Sequence, residues 1–143
     1  MSAALLHDIA DSCMKRSDTL HEVKSLQMAE ELLIQCGFQD SEIELITQDI
    51  LRQHSCLSRE ATPKSLEGRI MATADALVHI NSDFYDFSIE QIAKSNGLSN
   101  AIQWAFAKIE RDFHQKILFP EIQEENHENY ACLRRRVASL SIP

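Results

Sequence analysis

The sequence has few of the residues that break or turn a chain. Only three glycines and three prolines occur among its 143 residues, so it offers few of the tight turns that many short strands would need. No run approaches the roughly 18 consecutive apolar residues of a membrane span. The scarcity of turn residues therefore favours long helices, and no membrane-embedded role is expected.

The chain also lacks an excess of positive charge. Its formal net charge is −8 at pH 7, whereas binding to a nucleic-acid polymer needs concentrated lysine and arginine to displace counterions. No nucleic-acid polymer is therefore expected as a partner. A nucleotide is still allowed, because a metal ion and one or two basic side chains are enough to hold its phosphates.

Paired cysteine motifs are missing as well. The four cysteines are Cys13, Cys36, Cys56 and Cys132. None has C-x-x-C spacing, so neither a zinc site nor a disulfide framework is predicted, and reduced thiols indicate a reducing compartment. The first ten residues lack the basic start of a signal peptide. We therefore expect a cytoplasmic protein.

Apolar residues recur at three- and four-residue steps along most of the chain, as expected for helices. With 44% apolar and 25% charged residues, the composition is that of a globular domain. We predict an all-α, single-domain bundle of about six helices, in which residues 1–80 carry the candidate site and residues 81–143 are structural. The predicted helices span residues 21–36, 40–54, 63–80, 88–95, 99–118 and 121–140, with a helix tail at 3–10 and loops at 11–20 and 55–62.

Several helix details are also predicted. Gly37 suits a left-handed helix stop, and Ser41 with Glu44 fits a capping box. One buried stripe is expected to comprise Ile43, Ile46, Thr47, Ile50, Leu51 and then His54. A second inward face is expected to comprise Leu66, Ile70, Met71, Ala74, Leu77 and Val78, with Asp75 at its edge. In the last helix the inward residues are expected to be Tyr130, Leu133, Val137 and Leu140.

Histidines and aspartates follow one another along these helices. The series is His7, Asp8, His21, His54 and Asp75. A neutral imidazole beside a carboxylate can bind a divalent metal, and Asp75, on an apolar helix edge, needs an arginine, a metal or a proton. Taken singly, each residue has an ordinary explanation: an ion pair for Asp75, a core position for His54, a surface position for His21. His79, four residues after Asp75, is expected at the surface.

The order and spacing of these residues resemble those of the HD-domain superfamily of metal-dependent phosphohydrolases. The resemblance lies in LLHDIA (5–10), HEV-x-S (21–25), ILRQHS (50–55) and PKSLEG-x-I-x-x-TADAL (63–77). Residues 108–116, with Tyr130, are similar to the C-terminal helices of one small bacterial branch. The similarity covers most of the chain.

The resemblance implies a site and a reaction. His7, Asp8 and Asp75 correspond to three of the four metal ligands, and Asp8 is also the candidate catalytic residue that orients the attacking water. His21 and His54 correspond to residues that bind a second metal or contact substrate phosphate, and Lys15 and Arg16 are candidate phosphate contacts. The implied cofactor is a divalent ion (Mn²⁺, Fe²⁺, Ni²⁺, Zn²⁺ or Mg²⁺), and the implied substrate is a phosphorylated small molecule or nucleotide.

One ligand of the family pattern has no counterpart. The family's first metal-binding histidine lies on a helix well upstream of the His-Asp pair, and only six residues precede His7 here. We therefore expect a truncated or naturally short version with weakened metal binding, whose uncovered apolar face drives formation of a homodimer. The main alternative is a catalytically inactive HD-like helical module that acts through protein–protein contacts.

A second alternative is a DNA-binding helix-turn-helix. Residues 89–99 resemble the first helix and turn of such a motif. Gln103, however, falls where an apolar residue should anchor the recognition helix, and the acidic chain lacks phosphate-binding charge. This alternative is therefore disfavoured.

Overall fold

The computed structural model describes residues 2–16, 18–57 and 61–140. Every regular element in these ranges is helical, which confirms the all-α class, with eight α-helices rather than about six. The α-helices are α1 (Ser2–Leu6), α2 (His21–Gln35), α3 (Asp40–Glu44), α4 (Leu66–Ile80), α5 (Phe84–Asn96), α6 (Leu98–Arg111), α7 (Pro120–Glu125) and α8 (His127–Ser139). A 3₁₀ helix spans Ile9–Ser12, and π-helical segments span Leu45–Leu51 and Asp112–Lys116.

The chain divides into two compact units, residues 1–72 and 73–143. All four cysteines are free thiols, which agrees with the absence of paired spacing. Across the described ranges, no helix is both long and apolar enough to cross a membrane.

The core of the first unit is built mainly by α2, α3 and the π-helical segment that continues α3. Its buried members are Ala3, Ala29, Leu33, Ile43, Ile46, Ile50 and Leu51. The stripe predicted for residues 43–51 is confirmed at every position, including Thr47, whose hydroxyl donates to the Ile43 carbonyl at 2.8 Å. His54 follows that stripe and is half-buried.

The turn between α2 and α3 follows the predicted chemistry with one change. Gly37 adopts the left-handed conformation, with φ = +78°. The helix begins one residue before Ser41, so Gln39 takes the N-cap position. There the Glu42 carboxylate accepts a hydrogen bond from the Gln39 backbone N–H at 2.9 Å, and the predicted pairing of Ser41 with Glu44 is replaced.

The start of α4 is set by two side chains. The Asp49 carboxylate accepts hydrogen bonds from the backbone N–H groups of Lys64 at 2.8 Å and Ser65 at 3.0 Å. The Ser65 hydroxyl accepts one from the Gly68 N–H at 3.0 Å, which makes Ser65 the N-cap. The helix therefore begins at Leu66 instead of the predicted residue 63.

Gly68 gives a test of this packing. A Cβ atom at this position would lie 2.6 Å from Cβ of Pro63 and 2.9 Å from Oδ2 of Asp49. Alanine favours a helix over glycine by about 1 kcal/mol, yet overpacking costs about 1–3 kcal/mol, so we expect Gly68→Ala to be destabilising overall. Urea unfolding measures the change. Glu67→Ala, on the exposed neighbour, is the control, and a Gly68→Ala protein more stable than this control would contradict the packing described.

The buried face of α4 differs from the predicted one. Its buried residues are Gly68, Ala72, Thr73, Ala76 and Ile80. Among the predicted inward residues, Leu66, Ile70 and Val78 are 58%, 52% and 64% exposed and Ala74 is exposed, so the prediction is wrong for these four. Met71 and Leu77 are partly buried and pack against the cores of the first and second unit respectively. The predicted inward residues and the buried residues both repeat at four-residue steps. Of these two faces, the helix buries mainly the one with the smaller side chains.

The second unit has its own core, built by the end of α4 with α5, α6 and α8. Its buried members are Ala76, Ile80, Tyr85, Ile89, Ala101, Ile102, Ala105, Ile109, Phe113, Ile117, Tyr130, Leu133 and Val137. The helix predicted at 88–95 starts earlier, at Phe84. Pro120 stands at the first turn of α7, as expected of a residue that ends the preceding helix.

The helix predicted over 121–140 is interrupted. The Asn126 side chain donates to the Ile122 carbonyl at 2.8 Å, so this residue ends α7 and precedes α8. Tyr130, Leu133 and Val137 are buried as predicted, but Leu140 is 42% exposed.

Candidate functional site

The His7–Asp8 pair lies in the turn between α1 and the 3₁₀ helix. His7 Nδ1 lies 2.9 Å from the carbonyl oxygen of Ala4, so Nδ1 carries the proton and donates it to that oxygen. His7 Nε2 then faces Oδ2 of Asp8 at 3.1 Å. Two acceptor atoms at this distance repel each other unless a proton or another cation lies between them. This geometry therefore calls for positive charge at the pair.

Arg16 is the nearby cation. Its guanidinium pairs with Asp8 and also with Asp11, where Nη2 lies 2.7 Å from Oδ2. Asp11 in turn accepts from the ring of His21, with Nε2 and Oδ1 2.7 Å apart. The guanidinium thus holds two carboxylates, and one of them reaches a second histidine. Lys15, the other predicted phosphate contact, is exposed.

Asp8 is ionised at neutral pH. Burial alone raises the pKa of its carboxyl group, but hydrogen bonds and charge from His7 and Arg16 outweigh burial and hold that pKa well below its usual range. The carboxylate is therefore in the form needed to bind a cation or to accept a proton from water.

The two further predicted histidines also lie in the first unit. The His54 and His7 ring centroids are 5.8 Å apart in an edge-to-face arrangement. His54 Nδ1 lies 2.5 Å from the Leu51 carbonyl oxygen, which makes Nδ1 the donor here too. His21 is 8% exposed, so the surface position considered for it is wrong.

These donors suit a divalent metal by type. Imidazole nitrogen and carboxylate oxygen bind Mn²⁺, Fe²⁺, Ni²⁺ and Zn²⁺, and metal-binding histidines usually donate their other ring N–H to a carbonyl or carboxylate. His7 and His54 both do so. However, residues 2–16, 18–57 and 61–140 contain no group of three or more His, Cys, Asp or Glu side chains placed to hold a metal ion. In the first unit, two adjacent candidate ligands, His7 and Asp8, therefore lie together, and the Asp8 carboxylate is also paired with Arg16.

Asp75, the third predicted metal ligand, lies in the second unit. Its carboxylate pairs with the Lys116 ammonium group, and its Oδ1 lies 3.6 Å from Nε2 of His79. The Lys116 side chain is only 3% exposed and that of Asp75 13%. The positive partner that the sequence required for Asp75 is therefore a lysine from a distant part of the chain.

A buried polar network surrounds Asp112, a residue outside the predicted site. Asp112 is fully buried, and its carboxylate accepts hydrogen bonds from the Tyr85 hydroxyl at 2.6 Å and from His79 Nδ1 at 3.0 Å. Lys108 Nζ lies 3.0 Å from the same carboxylate. Burial alone raises the pKa of Asp112, but the hydrogen bond from His79 and the charges of Lys108 and Lys116 hold it well below the usual range. Asp112 is therefore ionised at neutral pH despite its burial.

His79 belongs to this network rather than to the surface, so its predicted position is wrong. Its ring lies between Asp75 and Asp112 and stacks on Phe84, with centroids 3.9 Å apart. A signal for the network was present in the sequence. Lys108, Asp112 and Lys116 recur at four-residue steps, which places three charged groups along one helix face.

Comparison with protein-family models, with curated proteins and with solved structures yields no match for this chain.

Proposed function

We propose that this chain is a metal-dependent phosphohydrolase of the HD type, acting on a phosphate mono- or diester such as a nucleotide. The observation that supports the proposal most is the His7–Asp8 pair. With Nδ1 donating to Ala4, Nε2 lies 3.1 Å from a carboxylate oxygen, an arrangement that a proton on Nε2 satisfies and that a divalent cation in its place would satisfy as well. Asp75 is the third ligand by resemblance, and His21 and His54 serve a second ion or the substrate phosphate.

The side chains of the first unit have distinct roles in this proposal. Asp8, ionised at neutral pH, orients the attacking water by accepting its hydrogen bond. A divalent ion held by His7 and Asp8 would supply Lewis-acid polarisation of a phosphoryl oxygen and would lower the pKa of water. Arg16, which pairs with Asp8 and Asp11, turns its planar guanidinium to the substrate phosphate, which it matches through two parallel hydrogen bonds.

The activity test uses a chromogenic phosphate monoester and a set of nucleotides, with Mn²⁺, Ni²⁺, Zn²⁺ or Mg²⁺ added. We expect metal-dependent turnover that His7→Ala reduces by about two orders of magnitude, the scale of losing one transition-state contact. His127→Ala is the matched control, because His127 lies in the second unit and is exposed. Equal turnover by the two variants, or no turnover with any metal, would refute the proposal.

The alternative is a catalytically inactive helical module that acts through protein contacts. The observation that favours it is Lys116, whose ammonium group already neutralises Asp75. The first unit also exposes large apolar side chains, among them Leu5 (77%), Leu20 (62%) and Val23 (62%). Homodimerisation at micromolar concentration is expected in this case, and sedimentation velocity measures it. A monomer with metal-dependent phosphatase activity would exclude the alternative.

A further inference from the structure

Arg111 is a half-buried cation at the end of α6. Its Nε atom is buried and has no hydrogen-bond partner among the described residues. None of the ion pairs found between described residues involves this guanidinium. A guanidinium carries five N–H donors, and a buried donor without an acceptor is unfavourable. Within the part of the chain that the structure describes, the Arg111 Nε–H therefore lacks the acceptor that its buried position requires.

Two further cations lie close to Arg111 in sequence. Lys108 lies one turn before it and pairs with Asp112, and Lys116 follows in the π-helical segment and pairs with Asp75. Burial lowers the pKa of Lys108; the charge of Asp112 opposes that effect, and the charges of Lys116 and Arg111 add to the lowering. Because each lysine has a carboxylate partner, Arg111 is the one of these three cations without an ion pair among the described residues, and a bound anion would neutralise it.

The backbone beside Arg111 is also unusual. The α-helical hydrogen-bond pattern of α6 ends at Arg111, and the π-helical segment Asp112–Lys116 begins directly after it. Short π-helical turns inside helices often occur at functional sites. Here the π-helical turn carries Asp112, which pairs with Lys108, and Lys116, which pairs with Asp75.

We propose that Arg111, with Lys108 one turn earlier, binds the phosphate group of a small anionic ligand. The Nε–Nη edge of the guanidinium turns to the ligand, which gives the orphaned Nε an acceptor and forms the two-point contact that phosphate oxygens favour. Lys108 adds a single charge contact. This site is separate from the His7–Asp8 pair and needs no metal ion.

The test is binding of inorganic phosphate to the full chain in the presence of EDTA. Trp104, the only tryptophan, lies on α6 two turns before Arg111, so its fluorescence reports both binding and thermal unfolding. Sodium chloride at matched ionic strength corrects for screening. We expect phosphate to raise the melting temperature of the native protein, and Arg111→Met to weaken phosphate binding by about tenfold or more, the loss of one charge-assisted contact.

Two variants make the result specific. Arg135→Met removes one positive charge at an exposed site whose partner, Glu128, is 3.5 Å away, and it should bind phosphate like the native chain. Arg111→Lys keeps the charge but loses the planar fork, and it should bind with intermediate strength. If Arg111→Met does not fold, the ratio between Arg111→Lys and native binding decides the matter. Equal affinity of native and Arg111-substituted proteins, or no phosphate binding by the native protein, would overturn the proposal.

Because EDTA is present, the outcome is independent of the metal proposal. Phosphate binding that depends on Arg111 in a protein without phosphatase activity would support this site and count against the hydrolase. Metal-dependent turnover with no effect of Arg111→Met on phosphate binding would support the hydrolase and count against the phosphate site at Arg111.

Discussion

Replacing Asp112 with alanine is expected to destabilise the second unit by about 3–5 kcal/mol, the usual cost of leaving buried charges without their partner. The carboxylate is fully buried, accepts hydrogen bonds from Tyr85 and His79, and forms an ion pair with Lys108. Without it, the fully buried Tyr85 and the largely buried Lys108 ammonium group lose their acceptor. Urea unfolding followed by circular dichroism measures the change.

The control for this substitution is Asp86→Ala. Asp86 also forms an ion pair, with Arg136 at 3.2 Å, but both side chains are 48% exposed. Exposed pairs contribute about 0–1 kcal/mol, so this variant should be close to the native chain in stability. If the two variants lose the same stability, the network around Asp112 does not hold the second unit together.

Acid should unfold the protein through the same carboxylate. The folded chain holds the pKa of Asp112 well below its usual range, whereas the unfolded chain restores the ordinary value of about 3.9. The unfolded state therefore binds more protons as the pH falls, and the stabilisation from Asp112 is present above about pH 4 and lost progressively below it. Asp8 has a lowered pKa as well and acts in the same direction.

Unfolding free energies measured from pH 7 down to pH 2.5 test this linkage. The native chain should lose stability steeply below about pH 4. Asp112→Asn, which keeps the shape of the side chain but does not titrate in this range, should be less stable at pH 7 and show a shallower slope. An unchanged slope in Asp112→Asn would mean that other carboxylates dominate acid unfolding.

The helices were predictable wherever one face alone was apolar. In the segment from Ile43 to Leu51, the predicted stripe coincides with the buried positions, and the remaining positions are polar except for Leu45, which is 37% exposed. In α4, two sets of positions share the same four-residue step. The pattern favoured large residues such as Ile70, yet the helix buries Ala72 and Ala76. Periodicity alone cannot choose between two such faces, because the choice depends on how closely neighbouring elements approach.

The candidate site was predictable to a smaller degree. His7 and Asp8 are adjacent in sequence, so their proximity needed no tertiary information. His79 donates to Asp112, 33 residues away in sequence, and Lys108 lies beside the pair with its Nζ 3.3 Å from His79 Nδ1; only the folded chain brings these residues together. Lys116 lies 41 residues from Asp75, so the sequence indicated that Asp75 needs a positive partner but not which residue supplies it.

The most direct test of the metal proposal is elemental analysis of the purified, tag-free protein, native and with His7→Ala, Asp75→Ala or the control substitution His127→Ala. The proposal predicts near-stoichiometric Mn, Fe, Ni or Zn in the native and His127→Ala proteins and its loss in the other two. Native protein that binds no metal, even after reconstitution with each ion, would contradict the proposal and favour the inactive helical module.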